Sequence, residues 1–255
     1  MTLTFLGTGT SSGVPMIGCA CAVCRSLDPR DQRLRVSAHL LVEGRSLVID
    51  TGPDFRQQML RAHVGQLDAI LFTHEHKDHT AGLDDVRAFN FRQRQEMPVF
   101  AEPRVLAQLQ REFAYVFAEH KYPGVPQISL HPIADDQLPF DVLGLRVQPL
   151  RALHHKLPVL GFRIGDVAYL TDANYLPEST KDQLRGCDII VLNALRHEPH
   201  ISHFTLTEAV AVLEELAPRR AYLTHISHQL GRHHEVEAGL PGWVRLAYDG
   251  LKLEV

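Results

Sequence analysis

Four apolar runs in this chain each lead into a residue that can ligate a metal. AILFT leads into His74, VQPLRAL into His154 and His155, VAYLT into Asp172, and AYLT into His225. A β-strand is a stiff element, and several strands that release polar side chains from their C-terminal ends can bring them together at one sheet edge. Few folds satisfy that pattern. Further β-branched runs at 2–6, 38–42, 46–49, 145–150 and 189–192 join those at 69–72, 167–170 and 221–223 as expected strands. Helical patterns fall at 54–63, 84–94, 103–119 and 205–216, the last opened by Thr205 with Glu208 placed for a capping box. Strands and helices alternate throughout, with no linker or repeat, so residues 1–255 read as one α/β domain. The segment 120–140, with Pro123, Pro126, Pro132 and Pro139, reads as an irregular connection.

The motif Thr73-His74-Glu75-His76-Lys77-Asp78-His79 follows directly on the first of these strand-like runs. Imidazole and carboxylate donors suit Zn²⁺, Mn²⁺ or Fe²⁺, and four donors in six residues exceed what one ion can take from a tight turn. A pair of ions sharing them is the expected arrangement. Two such cations lower the pKa of a water between them and stabilise negative charge on an attacked centre, so water serves as nucleophile and no Ser or Cys is required.

Charge and composition narrow the partners. A formal charge of −4 provides no general basic field for a polyanion, which favours a small substrate over long nucleic acid. The opening MTLTFLGTGTSSG alternates like a strand and has neither the basic nor the apolar region of a signal peptide, and no run is long enough to span a bilayer. A cytoplasmic protein without a membrane partner is therefore expected. In a reducing compartment the clustered Cys19, Cys21 and Cys24 point to a metal rather than to disulfides. Cys187 reads as a small core residue.

The H-x-H-x-D-H motif resembles the signature of the metallo-β-lactamase superfamily. IDTG at 49–52, HHKLPVLGFRI at 154–164, LTDA at 170–173 and LTHISH at 223–228 are similar to its other stations, in the same order. The resemblance implies a four-layer αββα sandwich with two metal ions at one edge. It implies that His74, His76 and His155 bind one ion, that Asp78, His79 and His225 bind the other, and that Asp172 bridges them. His155 is preferred to His154 because its spacing from Gly161-Phe162 matches that of the family. Asp50 reads equally as a carboxylate that orients a ligating imidazole or as a turn residue that closes a strand.

Within the superfamily, FLGTGTSSGVP at 5–15, GCACAVC at 18–24 and SHFTLTEA at 202–209 resemble the phosphoribosyl 1,2-cyclic phosphate phosphodiesterases of the carbon–phosphorus lyase pathway. The resemblance implies in-line attack of metal-activated hydroxide on a small cyclic phosphodiester. It gives His203 a catalytic role, gives Asp78 a catalytic role beside its ligand role, and implies a homodimer. It also implies a structural zinc held by Cys19, Cys21, Cys24 and His228. His203 precedes the helix expected at 205–216, where free N–H groups attract anions, and an imidazolium there would stand beside a phosphate. The rival readings are a tRNA 3′-processing type of nuclease, an acyl hydrolase and a metal-bound interaction module without turnover.

Overall fold

Strand-forming runs pair into two seven-stranded sheets in the computed structural model, which describes residues 1–255. The first sheet is built from β1 (Thr2–Gly7), β2 (Ser37–Val42), β3 (Arg45–Ile49), β4 (Ala69–Leu71), β5 (Met97–Ala101) and β6 (Ile128–Pro132). The second holds β7 (Phe140–Val142), β8 (Leu145–His154), β9 (Leu157–Ile164), β10 (Val167–Tyr169), β11 (Ile189–Asn193), β12 (Arg220–Thr224) and β13 (Val244–Leu246). The last strand, β14 (Lys252–Glu254), returns to pair with β1, giving the order β14-β1-β2-β3-β4-β5-β6 against β13-β12-β11-β10-β9-β8-β7. The helices α1 (Phe55–Ala62), α2 (Lys77–Thr80), α3 (Arg87–Gln93), α4 (Pro103–Glu112) and α5 (Ala114–Phe117) belong to the first half of the chain. Those of the second are α6 (Glu178–Leu184), α7 (Leu206–Leu216) and α8 (His233–Ala238).

Alternation along the central strands decides the layering. Leu47 and Ile49 face the second sheet while Val48 faces the helices; Ile189 and Val191 face the first sheet while Ile190 and Leu192 face outward. Both faces of these strands are buried, which is why they read as unbroken apolar runs. Three apolar layers result, one between the sheets and one under each set of helices. Three such layers require four layers of secondary structure, the expected αββα sandwich. No helix is long and apolar enough to cross a membrane.

The expected capping box is present: Thr205 Oγ1 accepts from the Glu208 N–H, and Glu208 Oε2 accepts from the Thr205 N–H. Two helix expectations need correction. The helix expected over 103–119 breaks at Phe113, whose backbone leaves the helical region as its ring enters the core. The one expected over 84–94 begins as a 3₁₀ turn, Leu83–Val86, before α3. The segment 120–140 is also not irregular throughout, because β6 adds to the free edge of β5. Its outer residues are exposed and it ends on a proline, so it lacks the apolar signature of an interior strand.

Pairing is parallel from β3 through β6 and from β10 through β13. Chain direction therefore carries Asp50, His74, Asp172 and His225 off the C-terminal ends of β3, β4, β10 and β12.

Candidate metal centre

Three of those strands end in a sharp reversal. Asp50, Asp172 and His225 adopt left-handed backbone conformations, with φ of 62°, 55° and 55°. For a residue with a Cβ this costs about 1–2 kcal/mol. The reversal turns each side chain back over the strand end. Close packing keeps the turns in place: a Cβ on Gly52 would lie 2.1 Å from the Asp78 carbonyl oxygen, and one on Gly82 would lie 2.1 Å from that of Gly52. Only glycine lets the IDTG turn meet α2 so closely.

The donors gather into two trios. His74, His76 and His154 form one; Asp78, His79 and His225 form the other. In each trio the potential ligand atoms lie within 4.8 Å of one another. Asp172 groups with His74 and His79 on one side, with its Oδ2 3.3 Å from His79 Nε2, and its Oδ1 is 3.0 Å from His225 Nε2. The His79 and His225 imidazoles both belong to the second trio, and the carboxylate reaches the first through His74 and His154, whose ligand atoms lie within 4.8 Å of its own. Each trio joins buried donors, His74 in the first and His79 with His225 in the second, to a more open one, exposed His76 and half-buried Asp78.

The expectation for His155 is corrected. His154 ends β8 and is paired with Leu157, so His155 and Lys156 are the two turn residues of the β8–β9 hairpin. His155 has φ 57° and an exposed side chain, while His154 stands 5.2 Å from His76 and 5.7 Å from His74, ring centre to ring centre. The residue that joins His74 and His76 is His154.

Hydrogen bonds on the far ring atoms set the imidazole orientations. Asp50 Oδ2 accepts from His79 Nδ1 at 2.7 Å and from the Thr73 hydroxyl at 2.8 Å, and Thr73 Oγ1 in turn lies 3.0 Å from His74 Nδ1. One carboxylate therefore fixes both rings, through a hydroxyl in one case. That resolves Asp50 in favour of orientation. His154 Nδ1 donates to the Ser202 carbonyl at 2.9 Å. The Nε2 atoms of His74 and His79 and both ring nitrogens of His225 are buried without a hydrogen-bond partner. Buried nitrogens are rarely left so, and donors arranged in this way fit a divalent cation.

The electrostatics favour added positive charge. Burial pulls the His79 imidazole down, but Asp172, Asp78 and Asp50 outweigh it and raise it well above 6.5. Burial also opposes ionisation of Asp172, yet His225 and His79 hold its carboxyl well below 3.8. Asp78 is lowered too, its burial overcome by His79. His74, buried and beside His79, is pushed well below 6.5 and offers a neutral imidazole.

His203 lies in the same cluster. Its ring stacks on His225 at 4.6 Å, and its unpartnered Nδ1 is 3.9 Å from Asp172 Oδ1. Burial first, then His225, depress its pKa strongly, so the imidazolium expected from the helix terminus is replaced by a neutral ring. Such a ring still donates one N–H. The sequence reading missed Asn193, which closes β11 and clamps the turn after Asp172 by bonds to Ala173 N–H and C=O at 2.8 and 2.9 Å. Its signal was a polar residue ending an otherwise apolar strand, IIVLN. Arg196 offers no free guanidinium, being bonded to Glu198, Pro199 and Gln229.

The second cluster is assembled differently. The sulfurs of Cys19, Cys21 and Cys24 and a His228 ring nitrogen lie within 4.8 Å of one another, with His228 Nδ1 3.6 Å from Cys19 Sγ and 3.4 Å from Cys21 Sγ. The Cys24 N–H leads the lowering of the Cys21 thiol to about 6, whereas burial pushes Cys24 up to about 11. Backbone bonds between Thr8, Thr10 and Ile226 carry the link from this N-terminal loop to His225.

Two sheets between helices, with His and Asp donors collected at the strand ends, define the class of metallo-β-lactamase-type folds. A profile for the β-lactamase superfamily domain matches residues 45–226, and the chain belongs to that superfamily of metallo-hydrolase-fold proteins. It is similar to the crystal structure of a new diphosphatase from the PhnP family, with 42% identity, a TM-score of 0.92, and coverage of 100% of this chain and 97% of that one. A Porphyromonas gingivalis (strain ATCC BAA-308 / W83) relative named octanoyltransferase is 41% identical over 254 residues, covering 99% of this chain and 51% of the relative. The chain thus spans about half the length of that relative. Ribonuclease Z of Mycobacterium sp. (strain KMS) is 24% identical over 188 residues, covering 67% of this chain and 66% of the relative.

Proposed function

We propose that this chain is a metal-dependent phosphoric diester hydrolase acting on a small substrate, a cyclic phosphodiester of the phosphoribosyl 1,2-cyclic phosphate type. The observation that carries the reading is the pair of donor trios joined by Asp172, with buried Nε2 atoms unpartnered at their centre. His74, His76 and His154 would hold one divalent ion, Zn²⁺ or Mn²⁺; Asp78, His79 and His225 would hold the second; Asp172 would bridge. Bound there, the ions would supply a water acidic enough to attack near neutral pH and a positive field for the charge that develops at phosphorus. Cys19, Cys21, Cys24 and His228 would hold a third ion with a structural role.

The protein groups have defined tasks. Asp50 holds the two rings it reaches in the orientation that leaves Nε2 free for ligation. Asp172, kept ionised, stands beside His79 and His225 of one trio and within reach of His74 and His154 of the other. His203 presents Nδ1 toward Asp172 and can donate its N–H to a phosphoryl or leaving oxygen. Asp78, half-buried at the start of α2, is a ligand that can also accept a proton.

The 42% identity to a diphosphatase supports phosphorus-centred chemistry. Octanoyl transfer is named for a relative about twice as long, half of which has no counterpart here. An acyl carrier thiol is also not at hand: Cys187 is buried and pushed up to about 11, and the other cysteines form the second cluster. The test is hydrolysis, after Mn²⁺ or Zn²⁺ loading, of cyclic phosphates, diphosphate esters, bis(p-nitrophenyl) phosphate and a tRNA precursor. Fastest metal-dependent turnover of a cyclic phosphate is expected. Faster cleavage of the tRNA precursor would replace the reading with a nuclease, and no turnover at all would replace it with a binding module. His203→Ala should lower kcat on the order of 10²-fold with metal content unchanged.

A further inference from the structure

The loop that carries His74, His76, Asp78 and His79 also carries two charges of opposite sign, and both are anchored on α4. Glu75 is bonded by Arg104 Nη1 near the start of that helix, and Lys77 Nζ lies 2.6 Å from Glu112 Oε2 at its end. Lys77 also stands over the Phe113 ring, 5.9 Å from its centroid, where the helix breaks. Arg104 and Glu112 are about two turns apart, and Val105, Leu106 and Leu109 between them are packed into the core. The helix is thus a fixed bar with a cation near one end and an anion at the other, matched to an anion and a cation in the loop. The residue between the two contacts is His76.

His76 depends on that support in a way the neighbouring imidazoles do not. His74 is reached by the Thr73 hydroxyl, His79 by Asp50 and His154 by the Ser202 carbonyl, whereas no hydrogen bond holds the exposed His76 ring. Its position follows from the backbone that bears it. Arg104 also reaches the other side of the first trio: its Nη2 donates to the Pro158 carbonyl and, at 3.1 Å, to Glu102 Oε2. Pro158 is paired with Leu153, the residue before His154, and the Leu160 N–H donates to the Thr73 carbonyl at 3.0 Å, which joins β9 to the start of the loop. One guanidinium therefore spans from the residue between His74 and His76 to the strand paired with that of His154. A planar fork of this kind fixes its partners in angle as well as in distance. Ion pairs this open, with the Glu75 and Lys77 side chains 25% and 63% exposed, add little to fold stability, so their value lies in where they hold the backbone.

We propose that α4 is a brace for the first trio, with Arg104 and Glu112 as positioning residues that hold His76 toward His74 and His154 and so set the affinity for the ion those three imidazoles would bind. The proposal rests on the metal-centre reading, and it is tested by ion binding rather than by turnover. Calorimetry titrates Mn²⁺, whose weak affinity for thiolates keeps it out of the cysteine cluster, into protein stripped by a chelator. The parent should take up two ions. Arg104→Met, which keeps the apolar stem and removes the fork, should weaken one of them about tenfold, the same ion that His76→Ala abolishes, and leave the other within about twofold. Glu112→Lys should weaken that ion about threefold, and Lys77→Glu combined with Glu112→Lys should restore it to within about twofold of the parent. Arg151 is the control: it shares Glu102 with Arg104 and bonds Asp136 at 2.6 Å without touching the loop, so Arg151→Met should leave both ions within about twofold. Unchanged Mn²⁺ affinities in Arg104→Met, equal weakening of both ions, an equal loss in Arg151→Met, or no recovery in the charge swap would overturn the brace. A parent that takes up no ion here would sink the metal reading and the brace with it, whereas two ions bound without hydrolysis of any phosphodiester would leave the brace standing and remove the hydrolase reading alone.

Discussion

The His/Asp cluster and the Cys/His cluster use similar donor chemistry on opposite structural terms. The first takes its ligands from the ends of strands in both sheets, fixes them with strained turns and hydrogen-bonded carbonyls and carboxylates, and buries their free nitrogens. The second draws three thiols from one loop in which Cys19 and Cys21 are half-exposed, with only His228 arriving from elsewhere. The difference teaches that the fold itself prepares the first site, while the second, drawn mostly from one loop, would be organised by an ion bound there. A prepared site is suited to chemistry, and a site organised by its ion is suited to bracing.

The sharpest way to break this contrast is at the bridge. Asp172→Asn should lower kcat on the order of 10³-fold while thermal unfolding remains cooperative; turnover near that of the parent would remove Asp172 from the centre. Next, His154→Ala should cost on the order of 10²-fold in metal-dependent turnover, whereas His155→Ala should stay within about twofold. The reverse pattern would restore the ligand choice made from sequence spacing. Cys21→Ser should remove one zinc per chain by atomic absorption and lower Tm, with kcat reduced less than about tenfold. An unchanged zinc content would show that the loop cluster binds nothing.

The smallest effect concerns protons. In chelated protein His74, His154 and His203 have folded pKa values below 6.5, chiefly through burial, while His79 is shifted upward. Below the unfolded value the unfolded chain binds protons that the three depressed imidazoles refuse, so stability falls as pH drops; His79 contributes the opposite sign, one group against three. Tm of the chelated protein should therefore decrease from about pH 7.5 to about pH 5.5. A flat or rising Tm would show that the buried imidazoles accept protons in the fold.

Much of the centre was legible because its donors follow apolar runs, and strand ends in parallel sheets converge. Asp172 and His225 each stand alone in sequence, and only the parallel order of β10, β11 and β12 brings them beside His74 and His79. The His154 position was not legible from spacing, because the decisive fact is where the hairpin turns. A two-residue turn at His155-Lys156 assigns the inward position to His154, and a one-residue change in register moves every side chain to the opposite face. Asn193 was faint for another reason: its work is to bond backbone groups of a distant turn, and a polar residue closing an apolar run is its one local mark. Edge strands such as β6 escaped because half their residues face water.

Each donor trio mixes the two sheets: His74 and His76 meet His154, and Asp78 and His79 meet His225. An ion in either place would thus act as a rivet through the seam, with neither half owning a complete socket. Prying the sandwich apart would dismantle both sockets at once, so occupancy and closure of the two halves should rise and fall together.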